Sequence, residues 1–319
     1  MGCGDEALVQ KICELYEQIS SLDSLKPSKH VNTLFTQLVH ACIPPTPIDV
    51  NTLSSTLQET RFKLIKLCAQ AETLLESHFS SILASFDDNP LHHLTIFPYY
   101  SNYLKLGHLE FNILNQHVLH APTRVAFVGS GPLPLTSIVL ASFHLAKASF
   151  HNYDIDPSAN SMAQRLVSPD PDLSSRMFFH TCDIMDVTTE LKDYDVVFLA
   201  ALVGMDKEEK VRVIDHLAKF MAPGSILMLR SAHGARAFLY PIVETCDLRG
   251  FEALSVHHPT DEVINSVVVA RKLPMSKHPL DQDLGHRILP NKCSEIQSFN
   301  PLITHGSMIE ELTFEEQLS

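Results

Sequence analysis

The chain has 319 residues, 45% of them hydrophobic, enough to bury a sizeable core and long enough for two domains. Acidic residues outnumber basic ones by 37 to 24, a net charge of −13, which argues against a phosphate-gripping surface and so against nucleic acid as a partner. No apolar run nears the ~20 residues that span a bilayer, and the N-terminus lacks the charged-then-apolar pattern of a signal peptide. Gly2 invites a myristoylation reading, but Glu6 stands where that motif wants Ser or Thr. Seven scattered cysteines without a C-x-x-C pair read as reduced thiols, so a cytoplasmic location is expected.

In chain order, residues 5–119 show helical spacing, with breaks at Pro27, at Pro44, Pro45 and Pro47, and at Pro90 and Pro98. The longest periodic run, 52–86, places Leu57, Leu64, Leu67, Ala71 and Leu75 on one stripe. An N-terminal all-helical domain, 1–119, is therefore expected to pack on the sheet-forming part of the chain.

Residues 125–128 read as a short strand, Gly129-Ser130-Gly131 as a tight turn, and the next residues as a helix start. The glycines let the backbone turn and approach a ligand with no Cβ in the way, and the helix offers free N–H groups. Pro132 and Pro134 replace the usual third glycine region, leaving fewer N–H groups for a pyrophosphate and disfavouring a dinucleotide. A second strand ends in Asp154, placed to accept hydrogen bonds from ribose hydroxyls, with Asp156 as its rival. Residues 177–183 read as a third strand ending in Asp183, 194–203 as a fourth that is apolar on both faces, and 224–230 as a fifth. The last two, 251–256 and 263–271, are joined by too few residues for a helical crossover, so they should pair antiparallel.

A doubly wound α/β sheet ending in such a hairpin resembles the Rossmann-like fold of class I S-adenosylmethionine (SAM) dependent methyltransferases. That resemblance implies a SAM-binding domain over 120–273, with the acid after strand two on the ribose and Asp183 near the adenine. Beyond Lys272 periodicity is lost among Pro274, Pro279, Pro290 and Pro301, and 274–319 reads as a mostly disordered tail.

Four segments go beyond fold class. Residues 89–106 (NPLHHLTIFPYYSNYLKL), 129–136 (GSGPLPLT), 197–206 (VFLAALVGMD) and 228–241 (MLRSAHGARAFLYP) together resemble plant nicotianamine synthase, over about residues 8–273. The resemblance implies an enzyme that takes three SAM molecules, transfers 3-amino-3-carboxypropyl groups between them, closes an azetidine ring and releases three methylthioadenosines. It implies no cofactor beyond SAM as substrate. Metal enters through the product, a chelator of iron, zinc, copper and nickel. Glu76 matches the position of the family's catalytic glutamate.

Such chemistry needs particular side chains. An α-amino nucleophile is protonated near neutral pH, so a base must stand beside it, the role expected of Glu76. Aromatic faces attract a sulfonium, and a phenol relays a proton or orients an amine. Tyr100 and then Tyr103 are the expected catalytic partners, with Tyr99, one helical turn before Tyr103, as a substrate contact. Arg230, ending the fifth strand, is the expected anchor for a substrate carboxylate, with Arg236 following in the next turn. SAM contacts are expected from Gly129, Ser130, Gly131, Asp154, Asp183 and Leu202. The pairs His92-His93 and His257-His258 make poor chelates, since neighbouring side chains diverge, and no bound metal is expected. An ordinary SAM-dependent small-molecule methyltransferase and a noncatalytic metal-binding protein are the competing readings. The oligomeric state is left open, a homo-oligomer included.

Overall fold

The computed structural model describes residues 3–44 and 48–274, so the expected tail, but for Pro274, lies outside the described residues, as do Pro45 and Pro47. Helices α1 (Cys3–Ser20), α2 (Lys29–Cys42), α3 (Ser55–Leu83) and α4 (Tyr100–Asn115) come first. Ser28 and Ser54 each cap a helix with a hydroxyl, accepting the N–H of Val31 and of Leu57, and Pro90 opens a 3-10 segment, Pro90–Ile96. The stripe on α3 serves two cores. Leu57, Leu64, Leu67 and Ala71 pack with α1, α2 and Phe238, whereas Leu75 packs on the sheet.

The strands are β1 (Arg124–Val128), β2 (Ser149–Asp154), β3 (Met177–Thr181), β4 (Val196–Leu199), β5 (Ile226–Ser231), β6 (Phe251–His257) and β7 (Ser266–Lys272). They lie in the order β3-β2-β1-β4-β5-β7-β6, with β1 to β5 parallel and β7 antiparallel between β5 and β6. This is the class I methyltransferase-type doubly wound sheet expected from the sequence. Between the strands run α5 (Leu135–Val139), α6 (Pro157–Val167), α7 (Leu173–Arg176) and α8 (Lys207–Phe220). Alternation along β4 sends Val196 and Phe198 towards α4 and α5, and Val197 and Leu199 towards Val213, Ile214 and Leu217 of α8.

Two strands end earlier than their apolar runs suggest. The fourth stops at Leu199, because Lys210 of α8, itself buried, donates its Nζ to the carbonyls of Ala200 (3.2 Å) and Ala201 (2.8 Å). Those carbonyls are satisfied without a strand partner, and 200–203 becomes a loop at the carboxyl end of the sheet. The third stops at Thr181, and Asp183 instead caps a 3-10 turn by accepting the N–H of Met185 (2.9 Å). The helix after the glycine turn is also short: α5 begins only at Leu135 and gives way to a π-helical turn over Leu140–His144.

The helical segment is tied down by two arginines as well as apolar contact. Arg61 of α3 donates to the carbonyl of Ala237 (2.7 Å). Arg236, 4% exposed, donates to the carbonyls of Ile43, Pro259 and Asp261, which makes it a strut between α2 and the β6–β7 connection.

Candidate functional site

Parallel strands deliver their loops to one edge of a sheet, and the crevice there is the usual ligand site of an open α/β fold. In this protein a cavity of about 490 Å³ occupies that edge, floored by the turns after β1, β2 and β4 and roofed by α3 and α4. Both floor glycines have left-handed backbone, φ +80° at Gly129 and +68° at Gly131. A Cβ on Gly129 would fall 2.3 Å from Val203 Cγ2, and one on Gly131 2.8 Å from Glu76 Oε2. Gly129 therefore requires glycine for close approach as well as for the turn, and Gly131 requires it for the turn. Asp154, the last residue of β2, holds the turn in place. Its Oδ2 accepts the N–H of Gly131 (2.8 Å) and its Oδ1 that of Asp156 (3.0 Å). Asp156 caps α6 through the N–H of Ser158 (2.8 Å), with Pro157 in the first helical position.

The roof carries the acids. Glu72 and Glu76, four residues apart on α3, both face the cavity. Glu76 Oε1 accepts a hydrogen bond from the hydroxyl of Tyr103 (3.3 Å), and Glu72 Oε2 one from the hydroxyl of Tyr240 (3.0 Å). Burial pushes the carboxyl of Glu76 well above the usual carboxylate range, the neighbouring charge of Glu72 pushes it further, and the Tyr103 bond offsets part of this. Burial likewise raises Glu72, against the pull of Tyr240 and Arg230. Tyr103 stands well above an ordinary phenol because of burial and the charge of Glu76. The result is a half-buried carboxyl and phenol, bonded to each other at the wall of the cavity.

The cation is held from behind. Arg230 donates Nε to Glu110 Oε1 (2.8 Å), and its Nη2 to Glu110 Oε2 (3.1 Å) and Thr136 Oγ1 (2.7 Å). Glu110 is 1% exposed and the Arg230 side chain 10%, so this is a two-pronged ion pair largely shielded from water on its Glu110 side. Nη1 has no protein partner among the described residues, and Arg230 lines the cavity. An anionic group of a ligand can therefore be met by the free side of the fork.

Of the residues singled out in the sequence, Glu76, Tyr103, Gly129, Ser130, Gly131, Asp154, Leu202 and Arg230 are brought to the cavity wall, together with Asp156. Tyr99, Tyr100 and Asp183 are not. Tyr99 is the cap residue of α4, outside the helical repeat, and its ring meets Phe97 edge-on (6.0 Å). Tyr100 packs half-buried against the apolar core beside α4. Asp183 is exposed and occupied in its own turn.

The local pattern missed Glu72, Glu110, Tyr240 and Asn265. A signal existed for Glu110: it lies seven residues after Tyr103, on a stripe otherwise made of Leu106, Gly107, Ile113 and Leu114. Asn265 also lines the cavity, buried, with its Nδ2 unpaired among the described residues. The histidine pairs are engaged elsewhere: His93 bonds to Asp88 (2.7 Å), and His258 to Ser266 (2.8 Å) while stacking on His233. Among the described residues one group, Glu244, Cys246 and Asp247, has ligand atoms close enough to share a metal ion, and Lys207 already pairs with both of its acids.

A family described as nicotianamine synthase protein matches residues 3–277. Nicotianamine synthase of Solanum lycopersicum is 65% identical over 311 residues, covering 97% of this chain and 98% of that protein. Nicotianamine synthase 3 of Arabidopsis thaliana is 64% identical over 318 residues, covering 99% and 97%. Among solved structures, a crystal structure of MtNAS in complex with MTA and tNA has a TM-score of 0.70 at 21% identity, covering 86% of this chain and 100% of that one. At that identity the likeness is one of fold.

Proposed function

This chain belongs to the nicotianamine synthase family, and from that membership and the Glu76–Tyr103 pair above the glycine turn we propose how it makes nicotianamine. Three SAM molecules are condensed by 3-amino-3-carboxypropyl transfer and azetidine ring closure, and three methylthioadenosines leave. A sulfonium activates every carbon bonded to its sulfur, so the group transferred is the one whose carbon a nucleophile reaches in line. The site presents the γ-carbon of the methionyl chain. The nucleophilic nitrogen's lone pair forms the new N–C bond, the C–S pair goes to sulfur, and the thioether leaves neutral. Each bond made releases one proton, and Glu76 takes it, with Tyr103 orienting the amine and sharing the proton. Arg230 Nη1 binds a substrate carboxylate. Gly129, Ser130, Gly131 and Leu202 hold the adenosine, and Asp154 holds the ribose.

The carrying observation is the position of Glu76: a carboxyl with a raised pKa, bonded to a phenol and touching the glycine turn that a SAM-type ligand occupies. Incubation with SAM as sole substrate and no added metal, followed by mass analysis, is expected to give methylthioadenosine and nicotianamine at three to one. S-adenosylhomocysteine with a methylated acceptor would make the protein a methyltransferase instead.

Replacing Asp154 by alanine is expected to weaken SAM binding by about 10–100-fold, since a charge-assisted bond to ribose and the tether on Gly131 are both lost. Titration calorimetry checks this, and an unchanged affinity would move the ribose contact to Asp156. The described cysteines, Cys13, Cys42, Cys68, Cys182 and Cys246, are free, and among the described residues no helix is long and apolar enough to cross a membrane. Free thiols support a reducing, cytoplasmic setting. There the product, rich in amines and carboxylates, serves metal homeostasis as a chelator of iron, zinc, copper and nickel.

A further inference from the structure

Three N–C bonds per product mean three protons, yet Glu76 holds only one. Glu76 is bonded to Tyr103 on one side and lies against the Gly131 turn on the other, and a proton it has taken must be passed on before it can serve again. Until that proton goes, the next amine has no base. On the same face of α3, one turn nearer the exposed rim of the cavity at Lys66, Gln70 and Thr73, stands a second carboxyl with its own phenol.

We propose that Glu72, held by Tyr240, is the proton acceptor that resets Glu76 between successive condensations, with Tyr103 as the bridge. The step balances. Glu76 in its acid form gives its proton to the Tyr103 oxygen while the Tyr103 hydroxyl proton passes to Glu72. One proton moves, the phenol is unchanged, and no carbon or sulfur bond is touched. Tyr103 is placed for this: it lines the cavity with both acids, and its single hydroxyl proton, donated to Glu76 while Glu76 is ionised, is free to turn towards Glu72 once Glu76 has become the donor. The Tyr240 hydroxyl, 3.0 Å from Glu72 Oε2, steadies the carboxylate that is to receive the proton. The groups facing this pair are Cys68 on α3, Tyr99 at the start of α4 and Tyr103 on it, Arg230 on β5 and Tyr240 after it, with Asp154 acting on Glu76 from the floor. Two carboxyls one helical turn apart on one cavity wall disfavour each other's ionisation, and a pair holding one proton supplies a base and a proton sink together.

This inference rests on the condensation chemistry proposed above, and its test keeps the two apart. Wild-type protein, Glu72→Gln and Tyr240→Phe are mixed with SAM, quenched over time, and assayed for methylthioadenosine per active site, for nicotianamine and for partly condensed intermediates, across a range of pH. Glu72→Gln is expected to release its later methylthioadenosines about tenfold or more slowly, relative to its own first, than wild-type protein does. Partly condensed intermediate should build up and the methylthioadenosine to nicotianamine ratio rise above three, with the slow phase recovering as pH rises. Tyr240→Phe, which keeps the carboxylate, should shift the same ratio in the same direction by less. It decides the matter if Glu72→Gln fails to fold. Unchanged kinetics, or all transfers slowed equally at a ratio of three to one, overturns the relay. Wild-type protein that releases no methylthioadenosine overturns the function itself, independently of either variant.

Discussion

Replacing Glu76 by glutamine is expected to lower turnover by about 10²–10⁴-fold while leaving SAM affinity nearly intact. The amide keeps the carboxyl's shape, and its carbonyl still accepts the Tyr103 hydroxyl now 3.3 Å from Oε1. What is lost is the capacity to take a proton. Because burial and Glu72 raise the carboxyl well above the usual range, the acidic limb of the kcat profile should lie above an ordinary glutamate's and vanish in the variant. Stability carries a related signature. A pKa raised by folding gives stability that is present below the unfolded value and is lost as pH rises through the folded one, so Glu76→Gln should flatten that decline. Single-turnover kinetics with calorimetry checks the first point, and near-normal turnover would remove Glu76 from the mechanism.

Glu110→Ala is expected to cost about 3–5 kcal/mol of stability, the largest loss for any single truncation near the site. It strands the guanidinium of Arg230, 9% exposed, without its counter-charge. The double variant Glu110→Leu with Arg230→Met removes both charges, and should recover most of that stability but not turnover, since no cation is left for a substrate carboxylate. Urea denaturation compares the three proteins. A loss below about 1 kcal/mol for Glu110→Ala would mean that the ion pair is not what holds α4 against β5.

The sheet was legible because its signals are local. Apolar runs mark β1, β4 and β5, and the short link before β7 forces an antiparallel close. Strand ends were less so, because what stops β4 is a lysine ten residues on, and that contact leaves no mark in the run itself. The site divides the same way. Gly129, Gly131 and Asp154 form one local unit and could be read from spacing. Glu110 meets Arg230 across 120 residues, and Tyr240 meets Glu72 across 168, so neither pairing has a short-range pattern. Glu76 illustrates the limit. A helix-face glutamate is ordinarily solvated, and family resemblance alone singled it out; only the roof of Tyr103 and the floor at Gly131 supply the physical reason.

Aminocarboxypropyl transfer and methyl transfer are told apart by two labels carried through the wild-type reaction, one in the SAM methyl group and one in the aminocarboxypropyl chain. The methyl label should leave entirely in methylthioadenosine while the chain label enters nicotianamine. Methyl label in an acceptor, with the chain label retained in S-adenosylhomocysteine, would contradict the assignment of the γ-carbon as the reacting centre.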